Sequence, residues 1–275
     1  MRIGFVFTNF NNSKFTREAI HSISINDYAG DIVIVVIDNN SDLNEVELLK
    51  EIKLDYPYIH LILNIENFGY FKGLNIGLNY LKKNYETIDY IIIGNNDLVF
   101  HPGFIKSVYA YNLIFERFPI VSPDLVTLDG VHQNPHVIIE ISKFRELIFD
   151  MYYSSYILAS FINQIAKVTR RITDRKDEKQ FNVAQTIYQG YGACYILGKV
   201  FFKNFDQLWA PTFLMGEEFF LSKQLESKQM KIYYEPGITV RHQEHASVSK
   251  LPKKKLWELA KESHKIYRKY VKTWN

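Results

Sequence analysis

Residues 31–40 read DIVIVVIDNN. Every residue from Ile32 to Ile37 is β-branched and apolar, and the run stops at Asp38. An antiparallel strand with one wet face would alternate with polar residues. This run does not, so it fits a strand buried on both faces of a parallel sheet. The flanks agree. Upstream, Ile3–Phe7 is a second short apolar run, and Phe15–Ile25 sets Phe15, Ala19, Ile20 and Ile23 at helical spacing. Downstream, Leu43–Leu54 reads as a helix, His60–Leu63 as a strand, Phe71–Leu81 as a helix and Tyr90–Ile93 as a strand. This alternation predicts βαβ units in an α/β fold, a Rossmann-like, mostly parallel sheet with helices on both faces.

Polar residues gather just past these strands: Asn9–Asn12, Asp38–Asp42, Asn64–Asn67 and Asn95–Asp97. Asn and Asp are common turn and capping residues, so one cluster alone says little. Four at successive strand ends mark a ligand site, because open α/β sheets bind beyond the carboxyl ends of their strands.

Composition narrows the class. The chain has 275 residues, 47% hydrophobic and 15% aromatic, with a net charge of +3, which describes a folded chain and gives no argument for nucleic acid. A single cysteine, Cys194, excludes an internal disulfide. The N-terminus reads as a strand rather than a leader, and no apolar run is long enough to span a bilayer, so a cytoplasmic location is expected. From Val137 to Gln180 the chain turns aromatic, then basic, and looks helical. Ala193–Leu197 then reads as a strand, Glu217–Lys228 as a helix, Lys231–His242 as extended chain broken by Pro236-Gly237, and Lys253–Trp274 as a basic amphipathic tail. One domain over 1–275 is expected: a first half over 1–100, a helical insert over 137–185, a second half over 186–250, and a C-terminal helix over 251–275.

Five segments carry chemistry. Asp38 can accept from a base or ribose, or cap the next helix. In NIENFGYFKGLNIGLNYL (64–81), Gly69, Gly73 and Gly77 recur every fourth residue. Mid-helix glycine costs about 1 kcal/mol against alanine, so either close helix–sheet packing or a bulky ligand is required. Lys72 and Asn75, in the same segment, suit a diphosphate. There is no GxGxxG after a strand and no GxxxxGK[ST]. Asp97, in IIIGNNDLVF (91–100), suits a hard divalent cation shared with a diphosphate, or a turn. Glu217 and Glu218, in FLMGEEFFLSKQL (213–225), open a helix and include a candidate general base. Adjacent helical residues face different ways, so the two acids have different jobs. His242 and His245, in TVRHQEHASVS (239–249), offer imidazoles to a metal.

Taken in order, these segments resemble inverting nucleotide-sugar glycosyltransferases of family 2, which have the GT-A fold. The family's Tyr-Asn pair is here Phe10-Asn11, and its Asp-Asn-x-Ser segment is Asp38-Asn39-Asn40-Ser41. Its Asn-x-Gly-x-x-x-Gly-x-Asn-x-Gly segment is Asn67, Gly69, Gly73, Asn75 and Gly77. Asn95-Asn96-Asp97 stands at the metal motif, Gly192-Ala193 before the acceptor region, Glu217-Glu218 at the base motif, and Val240, His242 and Ser247 at the late histidine motif. The family's usual base is aspartate, and Glu218 is one methylene longer.

The resemblance implies transfer of one sugar from a nucleotide-diphosphate sugar to a glycan or lipid-linked acceptor in bacterial surface polysaccharide synthesis. Asn11, Asp38, Asn67, Gly69, Lys72, Asn75 and Asn96 would bind the donor. Asp97 and His242 would hold Mg²⁺ or Mn²⁺, and Glu218, with Glu217 beside it, would take the acceptor proton. A non-catalytic sugar-binding protein and a sugar nucleotidyltransferase are the competing readings. The aromatic 147–162 stretch, Arg170, Arg171 and Lys253–Lys255 either meet the inner face of the plasma membrane or pack on the core or in a homodimer.

Overall fold

The structure, a computed structural model, describes residues 2–173, 177–243 and 252–271. The β-branched run forms β2 (Asp31–Asp38), which lies between β1 (Arg2–Asn9) and β3 (His60–Leu63), parallel to both. β1 pairs in parallel with β4 (Tyr90–Asn95) on its other side. The helices α1 (Ser13–Ser24), α2 (Leu43–Asp55) and α3 (Tyr70–Asn84) connect these strands.

Alternate residues of β2 feed two separate cores. Ile34 and Val36 join Phe5, Phe7, Ile20, Ile23, Leu49 and Ile52 on the α1–α2 face. Val33, Val35 and Ile37 join Val6, Phe71, Leu74 and Leu78 on the α3 face. Each fully buried Val, Ile or Phe contributes roughly 1.5–3 kcal/mol, so the sequence run is explained by burial on both faces.

The second half of the sheet is mixed. Its strands are β5 (Leu98–Phe100), β6 (Ile120–Thr127), β7 (Gln185–Ile187), β8 (Cys194–Gly198) and β9 (Ile232–His242). The 9-stranded order is β3-β2-β1-β4-β8-β6-β9-β5, with β7 also on β9. β1, β2, β3, β4, β6 and β9 point one way, and β5, β7 and β8 point the other. The sheet is therefore mostly parallel, as expected. β6 is central yet contains Pro123, which cannot donate to a ladder. The cost is met by a bulge: Pro123 pairs with Glu235 and Asp124 with Thr239, so residues 236–238 of β9 loop out of register.

Helices α4 (Phe104–Ala110) and α5 (Asn112–Phe115) precede β6, and α8 (Lys199–Asn204) follows β8. The insert is helical as expected, with α6 (Lys143–Ser154) and α7 (Tyr156–Thr173). Helix α9 (Glu217–Glu226) follows the insert side of the sheet, and α10 (Lys253–Tyr267) is the C-terminal helix. Polar bonds fasten α10 to α6. Trp257 Nε1 donates to Tyr152 O at 3.1 Å, Lys261 Nζ to Ser154 O at 3.1 Å, and Arg268 Nε meets Asp150 Oδ1 at 2.8 Å. Tyr267 donates its hydroxyl to Glu146. Among the described residues, no helix is long and apolar enough to cross a membrane.

Candidate functional site

The carboxyl ends of β1, β2 and β4 are joined by a buried polar network. Asp38 is 1% exposed, and its Oδ1 accepts from Asn9 Nδ2 at 2.9 Å and Ser41 Oγ at 2.5 Å. The Ser41 amide donates to Asp38 Oδ2 at 3.0 Å, and the Asn11 amide to Ser41 Oγ at 2.8 Å. Asn11 itself sits at φ 53°, in the left-handed region that Asn tolerates best after Gly. Asn96 donates to Asn9 Oδ1 at 3.0 Å, Asn12 Oδ1 at 2.7 Å and Thr16 Oγ1 at 2.7 Å. Asn11, Asp38 and Asn96 thus come together, with Asp38 and Asn96 bonded inward to neighbouring protein groups.

The start of α3 adjoins this network. Asn39 Nδ2 donates to Gly69 O at 3.0 Å, and Asn67 Oδ1 accepts from the Gly69 amide at 2.9 Å. Gly69 has φ +84°, and a Cβ there would lie 1.9 Å from Phe213 O. A Cβ on Gly73 would lie 2.9 Å from Thr8 Cγ2, and one on Gly77 2.3 Å from Val6 Cγ1. The glycine repeat at 73 and 77 therefore serves close packing of α3 on β1. Lys72 and Asn75 turn elsewhere, into a groove of about 860 Å³ shared with Trp209 and Gln224. There the Asn75 amide pairs both ways with the Leu208 backbone, at 2.8 and 2.9 Å.

Past β4, the chain reverses into β5 and buries Asp97 completely. Its Oδ1 faces His242 Nε2 at 3.3 Å, and His242 is 4% exposed. Both Asp97 oxygens and His242 Nε2 lack a hydrogen-bond partner among the described residues. His242 Nδ1 lies 2.7 Å from Gln133 Oε1, an acceptor, so Nδ1 carries the proton and Nε2 presents a lone pair. The imidazole nitrogen and the carboxylate face one another in a buried space, where a divalent cation would take both as ligands. The donor set, one carboxylate and one imidazole whose far nitrogen is held by Gln133, fits Mn²⁺ or Mg²⁺. Among the described residues no third His, Cys, Asp or Glu joins them. His245 and Ser247 lie outside the described residues.

Residues 191–193 bridge this pair to the acids of α9. The Tyr191 ring stands 5.9 Å from the His242 ring, edge-on. Ala193 O accepts from the Asn95 amide at 2.9 Å. Between them, Gly192 backs the Glu218 side chain so closely that a Cβ would lie 2.5 Å from Oε1. Met215 (φ 74°) and Gly216 (φ +85°) are both left-handed, a costly conformation for Met, and they set the direction in which α9 begins.

The two acids differ in surroundings. Glu217 is 5% exposed, and burial, then the charge of Glu218, pushes its carboxyl up to about 8. Glu218 is half-buried and lines a cavity of about 170 Å³ with residues of α6, α9 and α10.

Sequence reading missed Gln133, Tyr191 and Gln189. Gln133 had no signal in its own segment. The other two sit directly before the Gly192-Ala193 motif, and that adjacency was the available hint.

A model described as Glycosyl transferase family 2 matches residues 5–152, more than half of the chain. The chain belongs to that family. No curated protein sequence matches it. Among solved structures, S. aureus TarS is similar with a TM-score of 0.57 at 10% identity, over 88% of this chain and 37% of TarS. Mannosyltransferase PcManGT from Pyrobaculum calidifontis, in complex with GDP-Man and Mn²⁺, gives 0.56 at 12% identity, over 90% of this chain and 59% of its own. GalNAc-T7 with UDP, GalNAc and Mn²⁺ gives 0.54 at 15% identity, over 90% and 43%. These glycosyltransferases share the GT-A fold with this chain, which spans well under two thirds of their lengths.

Proposed function

We propose that this glycosyltransferase is inverting and moves one sugar from a nucleoside-diphosphate donor to a hydroxyl of a glycan or lipid-linked acceptor. The observation that carries the reading is the position of Glu218: a partly exposed carboxylate lining a cavity, one short segment away from a buried acceptor pair. Glu218 takes the acceptor proton as that oxygen attacks the anomeric carbon. The carbon–oxygen bond to the diphosphate breaks, and its electron pair leaves with the nucleoside diphosphate. Buried Glu217 keeps its proton near neutrality and adds no second charge. Asp97 and His242 would hold the divalent cation, which supplies charge stabilisation to the leaving diphosphate. Asn11, Asp38, Asn67, Gly69 and Asn96 form the nucleoside side of the site, and Lys72 and Asn75, which face a separate groove, take no part in it.

A panel of UDP-, GDP- and dTDP-sugars, read by nucleotide release, tests the reading. One donor should be hydrolysed slowly without acceptor, and Glu218→Gln should keep donor binding and lose transfer. Full transfer in that variant refutes the base. Mn²⁺ at a hundredfold excess over its Kd should stabilise the protein by about 2.7 kcal/mol in a thermal melt. Asp97→Asn should lose that shift.

Peripheral membrane contact has its own support. On α7, Ile157, Phe161 and Ile165 are 83%, 58% and 47% exposed and fall four residues apart, on one edge of an apolar arc. Lys253, Lys254 and Lys255 are exposed at the start of α10, which packs on α6. Apolar and cationic residues together suit an anionic bilayer surface. Flotation with anionic vesicles should carry the protein, and Phe161→Ser should release it. Self-association without flotation assigns the face to a second copy instead.

A further inference from the structure

The cavity at Glu218 is walled by groups from three places in the chain. Phe149 and Tyr153 come from α6, Phe219 from α9, and Ser263 and Tyr267 from α10. At about 170 Å³ it equals roughly five or six waters' share of liquid, room for a single small ring. Aromatic faces suit the C–H faces of a sugar ring, which need apolar contact without charge.

One polar group in the wall is unexplained by the fold. Gln189 is 5% exposed, and its Nε2 has no hydrogen-bond partner among the described residues. The backbone around it is fixed, since Gln189 N and O pair with Val137 at 2.9 and 3.0 Å. A buried donor left unmade costs about 1–3 kcal/mol, and Gln189 lines the same cavity as Glu218. The cavity thus presents a donor and an acceptor to one occupant.

The wall also lacks something. Among the described residues no Lys or Arg lines it. Its histidine, His264, lies 3.0 Å from Asp150 Oδ1 through Nε2, and burial lowers its proton affinity. Among the described residues Glu218 is the one acid in the lining, so an anionic group in this space would meet a carboxylate and none of the described cations.

We propose that this cavity is the acceptor subsite, that it takes an uncharged monosaccharide ring, and that Gln189 Nε2 donates to a non-reacting oxygen of that ring while Glu218 receives the proton of the reacting hydroxyl. Any phosphate of a lipid-linked acceptor then lies outside the cavity. The inference rests on the transferase reading above and adds the acceptor's chemistry to it.

Saturation-transfer NMR with methyl glycosides tests it on the unmodified protein. The probes are the methyl glycosides of glucose, galactose, mannose, rhamnose, N-acetylglucosamine and N-acetylgalactosamine, with methyl glucuronide as the anionic probe. At least one neutral glycoside should bind and accept sugar, and methyl glucuronide should do neither. Gln189→Leu should raise the acceptor KM about tenfold, the weight of one hydrogen bond, with a melting temperature that does not fall, because the unpaired buried donor is removed. Absence of any neutral binder, equal binding of the glucuronide, or a wild-type acceptor KM in Gln189→Leu each overturns the proposal. Acceptor-free donor hydrolysis separates the two levels: if it proceeds, only the subsite has failed, and if no donor is bound, the transferase reading falls with it.

Discussion

Replacing Gly192 with alanine should disable transfer while leaving the fold intact. An alanine Cβ would stand 2.5 Å from Glu218 Oε1, whereas ordinary contact begins at 3.4 Å. The carboxylate must therefore retreat by 3.4 − 2.5 = 0.9 Å. It can do so cheaply, because its far end is flexible and partly exposed, so stability should change by under about 0.5 kcal/mol. Catalysis is less forgiving. A displacement of about 1 Å from the reacting geometry costs on the order of a hundredfold, near 2.7 kcal/mol in the barrier. Initial rates of nucleoside diphosphate release at saturating acceptor should fall by about that factor, with the donor KM unchanged. The same geometry predicts a compensation. Glu218→Asp withdraws the carboxylate by one methylene, away from the added methyl group. Gly192→Ala combined with Glu218→Asp should then lose less activity than the two single losses summed as free energies. A kcat for Gly192→Ala within about twofold of wild type, or strict additivity in the double variant, refutes the reasoning.

Two other outcomes follow from the packing and the buried acid. Gly77→Ala would push a methyl group to 2.3 Å from Val6 Cγ1 inside the α3 core and should destabilise the protein by about 1–3 kcal/mol in denaturant unfolding, with the m-value unchanged. Glu217 titrates higher in the folded chain, about 8, than its ordinary value of 4.5, so folding takes up a proton between those values and stability declines as pH rises through that window. Glu217→Gln should flatten that decline in melting temperatures and leave stability near pH 4 little changed. A parallel decline in both proteins would show that Glu217 is not the group responsible.

The first hundred residues could be read closely because their signals are local. β3 falls at the expected residues, and β2 is announced by six β-branched residues in a row. Central β6 gave no such signal, since Pro123 and Asp124 interrupt its apolar run, and the bulge in β9 that accommodates Pro123 lies more than a hundred residues away. The glycine repeat allowed two readings, and only the contacts to Thr8 and Val6 choose packing for Gly73 and Gly77. Strand-end polarity foretold the polar network of Asn9, Asp38 and Asn96 because topology fixes where parallel strands end. What it did not give was the division of labour: burial separates Glu217 from Glu218, and Gln133 reaches His242 from another loop. Contacts of that range leave no periodicity in a sequence.

The bonds between α6 and α10 join segments that sit on either side of β7, β8 and β9 in the chain. A change in α6 therefore reaches α10: replacing Asp150 removes a partner of Arg268, and replacing Glu146 removes one of Tyr267. The sheet is spared, because neither helix supplies a strand. The two helices are therefore matched halves of one seam, and a chimera that exchanges one without the other should carry mismatched polar partners above an unaltered sheet.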